Sequence, residues 1–302
     1  MKKVIFGIIT ALLISGCSGN LPNNQISSKI KIITTIYPYK EMAQAIGGDK
    51  VEVQSLLQPG MEPHDFEPSP QDMVKVMSSN ILIVNGAGME PWVTKISGDL
   101  QKNKIQVVDQ SKVIQSELLN GEGHNYDPHF WLDPEIYNEL SKNLSNQLSE
   151  ISPENQSYFV QNYQSFNKKI ENLNSDFKNA FANNNCAQNT IVTNHAAFNY
   201  FAKRYNLKAL NIHSLSPEIE PTAKDLVELK NEIGNLKVKY LFTEELVSPK
   251  TAETLANEAQ IKTMTLNPLE NLTDEQIQAE ENYFTIMEKN LENLKIALEC
   301  KS

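Results

Sequence analysis

SPENQSYFVQNYQSFNKKIENLNSDFKNAFANNN, residues 152–185, is the stretch whose reading decides the fold. Its large apolar residues are Phe159, Tyr163, Phe166, Ile170, Leu173, Phe177 and Phe181, at spacings of 4, 3, 4, 3, 4 and 4. That rhythm draws one continuous face on an α-helix. Ser152 supplies a capping side chain, and Pro153 stands where a missing N–H costs nothing. From Pro153 to Asn183 the helix is predicted to run about 46 Å at 1.5 Å per residue. A connector within one sheet has no need of that length. The helix reads as a rigid strut between two lobes.

The same grammar lies on either side of the strut: a short β-branched run, then an amphipathic helix. Before it, strands are predicted at Ile30–Ile36, Val51–Leu57, Ile81–Asn85 and Ile105–Asp109, with helices at Pro38–Ile46, Pro70–Ser78 and Pro91–Gln101. Pro134–Ser149 reads as a further helix leading into the strut. After it come strands Thr190–Thr193, Leu207–Ile212, Lys239–Thr243 and Lys262–Leu266, and helices Ala196–Tyr205, Thr222–Leu236, Pro249–Ala259 and Asp274–Glu299. Alternating strands and helices imply parallel pairing, hence an α/β class with two similar open sheets. The expected organisation is residues 30–149 as one lobe, 150–185 as the linking helix and 186–302 as the second lobe, each lobe with its own core. A ligand site is expected in the cleft between them.

The N-terminus carries Lys2 and Lys3, then the apolar run Val4–Ile14, then Ser15-Gly16-Cys17. The run is too short to span a bilayer and reads as a secretion signal. A small residue before Cys17 matches the bacterial lipoprotein box, so residues 1–17 are expected to end in a lipidated cysteine and 18–29 to form a polar tether. The mature chain is then lipid-anchored outside the cytoplasmic membrane. Without Lys2 and Lys3 the formal net charge moves from −10 to −12. An acidic surface argues against nucleic acid as a partner and suits a cation. Cys186 and Cys300 remain, and in an oxidising compartment they are expected to pair.

Five histidines occur: His64, His124, His129, His195 and His213. His64 lies in the loop leaving a strand, His195 directly follows Thr190–Thr193, and Glu270 follows Lys262–Leu266. Ligands of open α/β sheets sit outside the carboxyl ends of strands, so these three arrive at one rim. His129 ends a turn-rich loop that can lean over the same rim. Three imidazoles and a carboxylate suit tetrahedral Zn2+. Four protein ligands leave no open position for an activated water, which favours binding over hydrolysis. Glu244, Glu245 and Glu62 compete with Glu270 for the fourth position. Asp65, Asn194 and Asp133 are candidates to orient the imidazoles. His213 is assigned no ligand role. Gly86-Ala87-Gly88 lacks the third glycine of a dinucleotide fingerprint, since Pro91 stands there, and reads as a tight turn. Trp92 and Trp131 read as lobe packing.

Four separate motifs carry a family resemblance: Pro59-Gly60-Met61-Glu62-Pro63-His64-Asp65-Phe66-Glu67-Pro68-Ser69, Asp127-Pro128-His129-Phe130-Trp131-Leu132-Asp133-Pro134, Thr193-Asn194-His195-Ala196-Ala197-Phe198 and Leu266-Asn267-Pro268-Leu269-Glu270. With these the chain resembles, from about Ile30 onward, the metal-binding lipoproteins of ABC importers, in particular the ZnuA-like zinc branch. The resemblance implies His64, His129, His195 and Glu270 as metal ligands, two lobes around a rigid helix, and modest movement on metal release. It also implies a monomer, not an enzyme, that hands Zn2+ to an importer permease and its ATPase. Manganese and iron members carry a carboxylate where this chain has His195, which favours zinc over a Mn2+ or Fe2+ importer component. A secreted zinc hydrolase is the alternative of another class, with three protein ligands, a water and a general base. One departure stands out: zinc members commonly carry a long His- and acid-rich loop, whereas Gln115–Asp127 holds only His124, Glu117, Glu122 and Asp127. The loop holds too few donors to scavenge metal, and His124 reads as a solvated loop residue rather than an extra ligand.

Overall fold

The structure is a computed structural model and describes residues 29–121, 126–182 and 185–301. The signal, Cys17, most of the tether and His124 lie outside the described residues. Eleven α-helices and eight strands are found among the described residues. β1 (Ile30–Thr34), α1 (Tyr37–Gly47), β2 (Val51–Ser55), α2 (Pro70–Met77), β3 (Ile81–Val84), α3 (Pro91–Lys95), α4 (Ser97–Lys102) and β4 (Gln106–Asp109) make the first lobe. α5 (Pro134–Ile151) and α6 (Gln156–Ala180) follow. The second lobe contains β5 (Thr190–Thr193), α7 (Asn199–Arg204), β6 (Lys208–Asn211), α8 (Ala223–Leu236), β7 (Tyr240–Thr243), α9 (Lys250–Ala259), β8 (Lys262–Thr265), α10 (Asp274–Gln278) and α11 (Tyr283–Ala297).

Each lobe has one four-stranded parallel sheet, ordered β2-β1-β3-β4 and β6-β5-β7-β8. The orders are the same once the lobes are aligned. In both, the chain leaves a central strand to one side and returns on the other, so each sheet has a switch point at the carboxyl end of its central strands. β3 and β5 are buried along their whole length, as strands covered on both faces must be.

Local chemistry sets the helix ends. Ser69 with Asp72, Thr222 with Asp225, Thr273 with Gln276 and Asn282 with Thr285 form reciprocal capping boxes. The last two correct an expectation. Asp274–Glu299 is two helices, because Glu280 takes a left-handed φ of 55° and Asn282 caps a fresh start. Pro91–Gln101 likewise divides around Ile96. The strut is shorter than expected: Pro153–Asn155 is a 3-10 turn, and the α-helix ends at Ala180. At 25 residues it spans about 37 Å. Phe159, Phe166, Ile170, Leu173 and Phe177 are buried along it, and it packs against α1, α5 and α11.

Those contacts overturn the expectation of two separate cores. One apolar core runs from Ile32 and Met42 in the first lobe, through Leu140, Phe159 and Phe177, to Phe198, Tyr283 and Leu294 in the second. The inner face of each sheet needs cover, and the same slab of helices supplies it to both. Smaller clusters cover the outer faces, around Leu82 and Trp92 in one lobe and around Val192 and Leu241 in the other. Tyr137 and Tyr283 stack with centroids 4.1 Å apart, and the Trp131 indole N–H donates to the Pro268 carbonyl at 2.8 Å. A Cys186–Cys300 disulfide ties the chain just past α6 to the chain just past α11. No helix among the described residues is long and apolar enough to cross a membrane.

Candidate metal centre

Strand ends deliver the polar groups. His64 sits in the loop after β2, His195 immediately after β5, Glu244 immediately after β7 and Glu270 in the loop after β8. His129 precedes the 3-10 turn Phe130–Leu132, whose three side chains are fully buried and pin it from below. All four sequence-derived candidates meet: one donor atom from each of His64, His129, His195 and Glu270 lies within 4.8 Å of every other. His129, His195 and Glu270 are essentially inaccessible, whereas the His64 side chain keeps 9% exposure.

The separations have a characteristic size. His64 Nε2 is 3.1 Å from His129 Nε2 and 3.2 Å from Glu270 Oε1. His195 Nε2 is 3.2 Å from His129 Nε2, and both His129 and His195 Nε2 lie 3.4 Å from Glu270 Oε1. A tetrahedron with metal–ligand bonds of about 2.0–2.1 Å has edges of about 3.3–3.4 Å. Five of the six edges therefore match a four-coordinate zinc-sized ion, and the sixth, His64–His195, lies within 4.8 Å.

The far side of each ring explains why the Nε2 atoms face one another. His129 Nδ1 lies 2.8 Å from Asp127 Oδ1, and His195 Nδ1 lies 2.8 Å from both oxygens of Glu244. Each Nδ1–H donates to a carboxylate, which turns the Nε2 lone pair toward the centre. Sequence reading missed both partners in this role. Glu244 was weighed as a ligand and Asp127 only as part of a loop; the signal for Asp127 was its i,i+2 spacing from His129. Of the residues proposed to orient the rings, Asp133 instead caps α5 and pairs with Arg204 at 2.7 Å. Asn194 is buried with neither side-chain atom hydrogen-bonded among the described residues, and Asp65 lines a neighbouring cavity. His213 braces its own loop, Nδ1 donating to the Ile219 carbonyl at 3.0 Å. Gln276 donates to Glu245, away from the four donors. Glu62 accepts from the His64 backbone N–H at 2.9 Å, with its other oxygen 4.0 Å from His64 Nε2.

The electrostatics call for positive charge at the centre. Burial works to raise the Glu270 carboxyl, but hydrogen bonds from His129, His195 and His64 outweigh it and hold it well below the usual range. Burial opposes protonation of His195, yet the Glu244 and Glu270 carboxylates lift its pKa well above the ordinary value. His129 is likewise raised against its burial by Asp127 and Glu270. Burial pushes His64 down, and the burial of Glu62, reinforced by the Glu270 charge, lifts that carboxyl to about 8. The second oxygen of Glu270 is buried without a hydrogen-bond partner among the described residues. Lone pairs converging in this way are stable only around a cation or around added protons.

A cavity of about 360 Å3 opens beside His64, between Asp65, Ala87–Met89 and Pro128 of one lobe and Ser214–Ser216, Glu218 and Ile219 of the other. Its wall depends on the turn Gly86-Ala87-Gly88, where all three residues have positive φ. A Cβ at position 86 would fall 2.0 Å from Asp109 Oδ1, so glycine is required there.

Fold and site together define a two-lobed α/β protein with a buried three-histidine, one-carboxylate donor set between its lobes. The family model for zinc-uptake complex component A periplasmic, ZnuA, matches residues 32–297, and the chain belongs to this family. The zinc-binding lipoprotein AdcA of Streptococcus pneumoniae strain R6 is 34% identical, over 98% of this chain but 61% of its own length. The chain thus spans about three fifths of that relative. The high-affinity zinc uptake system protein ZnuA of Bacillus subtilis is 33% identical over 96% of this chain and 95% of its own. The Zn(II)-bound ZnuA-like domain of S. pneumoniae AdcA superposes with a TM-score of 0.78 at 36% identity, covering 90% of this chain and 99% of that domain.

Proposed function

We propose that this protein captures Zn2+ at His64, His129, His195 and Glu270 and delivers it to an ABC-type importer, its permease and ATPase. The observation that carries the reading is the set of donor separations near 3.1–3.4 Å, the edges of a zinc tetrahedron, among atoms with no other hydrogen-bond partner among the described residues. Three nitrogen donors favour zinc over Mn2+, which prefers oxygen. Four protein ligands fill the shell, so the ion is cargo and the protein is not an enzyme. The names of the AdcA and ZnuA relatives support the same substrate and route. The lipoprotein box at Cys17 supports a lipid-anchored mature protein, periplasmic or on the outer face of the cell membrane, and we read 30–149 and 186–302 as its lobes with 150–185 as the linking helix.

Elemental analysis of protein purified anaerobically without residues 1–17 tests the reading. One zinc per chain, lost in His195→Ala, is the expected result. A metal-free chain that gains no thermal stability from micromolar Zn2+ would overturn it.

A further inference from the structure

The carboxylate that aims His129 is itself held from the opposite lobe. Asp127 uses Oδ1 for the His129 ring and also accepts the His129 backbone N–H there, at 2.8 and 3.0 Å. Its other oxygen, Oδ2, accepts from the Asn199 side-chain amide at 2.9 Å. Asn199 is the first residue of α7 and stands four residues after His195. Its neighbour Tyr200 donates its hydroxyl to the Asp127 carbonyl at 3.0 Å and accepts from the Leu119 N–H at 2.8 Å. Asp127 is 1% exposed, so water has little access to replace either bond. Glu244, by contrast, reaches His195 from within the same lobe.

Resting on the function proposed above, we infer that Asn199 is a positioning residue for zinc, acting through Asp127 on His129. One short segment of the second lobe, 195–199, then governs two ligands: His195 directly, and His129 through two hydrogen bonds. The amide matters because it donates. It occupies Oδ2, leaving Oδ1 to accept from the His129 ring and backbone N–H and so holding the Nε2 lone pair on the metal position. Without the donor, a buried carboxylate oxygen is left unpaired and Asp127 can rotate toward other donors, dragging the imidazole off its axis.

A double-mutant cycle tests this in the whole mature chain, with Zn2+ affinity read by chelator competition and ligand geometry read from the ligand-field bands of bound Co2+. Asn199→Leu keeps the volume and removes the donor. It is expected to weaken Zn2+ binding by about 10–100-fold and to alter the Co2+ spectrum. In the Asp127→Ala background the same change is expected to cost less than about twofold, since the group it acts through is gone. Asn199→Gln, which retains the amide, is expected to recover most of the affinity. Equal losses in both backgrounds, no loss in either, or a Gln variant as impaired as the Leu variant would each overturn the assignment. Wild-type protein that binds neither Zn2+ nor Co2+ would instead overturn the metal-binding reading itself, and this inference with it.

Discussion

His195 and His129 hold their protons more tightly than free imidazole because carboxylates face them inside the protein. Zinc must displace those protons. Its apparent affinity is therefore expected to fall with falling pH, by up to about tenfold per unit for each proton displaced. The stability linkage runs in the opposite sense. A raised histidine pKa contributes stability to the metal-free fold that is complete below the unfolded value and is lost as pH rises through the folded one. The thermal shift produced by zinc should thus be largest on the alkaline side of neutrality and shrink toward about pH 5. Calorimetry with and without zinc across that range checks it, and a shift that grows on acidification would contradict the assignment. At this scale the sequence was generous. The four groups that meet could be singled out because three follow strand ends and all four lie in the motifs that carry the family resemblance, which chose Glu270 over Glu244, Glu245 and Glu62. Asp127 and Glu244 could not be given their roles, since whether a carboxylate binds a metal or a histidine depends on the ångström-level reach of its side chain.

Among the elements, α6 carries the clearest expectation. Phe177 is fully buried on its inner face, stacked edge-on against Phe201 at 4.9 Å. Phe177→Ala is expected to cost about 3–5 kcal/mol of unfolding free energy, read from denaturant midpoints, while leaving the zinc affinity of the folded protein unchanged. The disulfide closes a loop with a sequence separation of 114. A Cys186→Ser, Cys300→Ser double variant should lose about 2–4 kcal/mol, and reduction of the native protein should give the same loss. Strand existence and order of appearance were legible from β-branched runs such as Ile81–Val84. Helix boundaries were less so. The break at Glu280–Asn282 interrupts an apolar pattern that continues on both sides, and nothing in residue type forces a left-handed glutamate. The apolar rhythm of α6 runs on through Phe177 to Phe181, one residue past the helix end at Ala180, so periodicity alone did not mark the last turn.

For the molecule as a whole, zinc at about 100 times its dissociation constant should raise apparent stability by about 2.7 kcal/mol, a gain absent in His195→Ala. Thermal denaturation at fixed zinc concentrations measures it. What the sequence concealed at this scale was the joining of the two cores. Hydrophobic periodicity shows that a helix has an apolar face; it does not show that α1, α5, α6 and α11 join buried residues of both sheets in one cluster.

That shared interior restricts how cargo can enter and leave. Two sheets fastened to one slab leave no crease along which the molecule could fold shut like a book, because swinging them apart would tear Tyr137 from Tyr283 and the Trp131 indole from Pro268. Exchange with solvent then belongs to the skin of the protein around His64, and loaded and empty forms should scatter X-rays at small angles with the same radius of gyration.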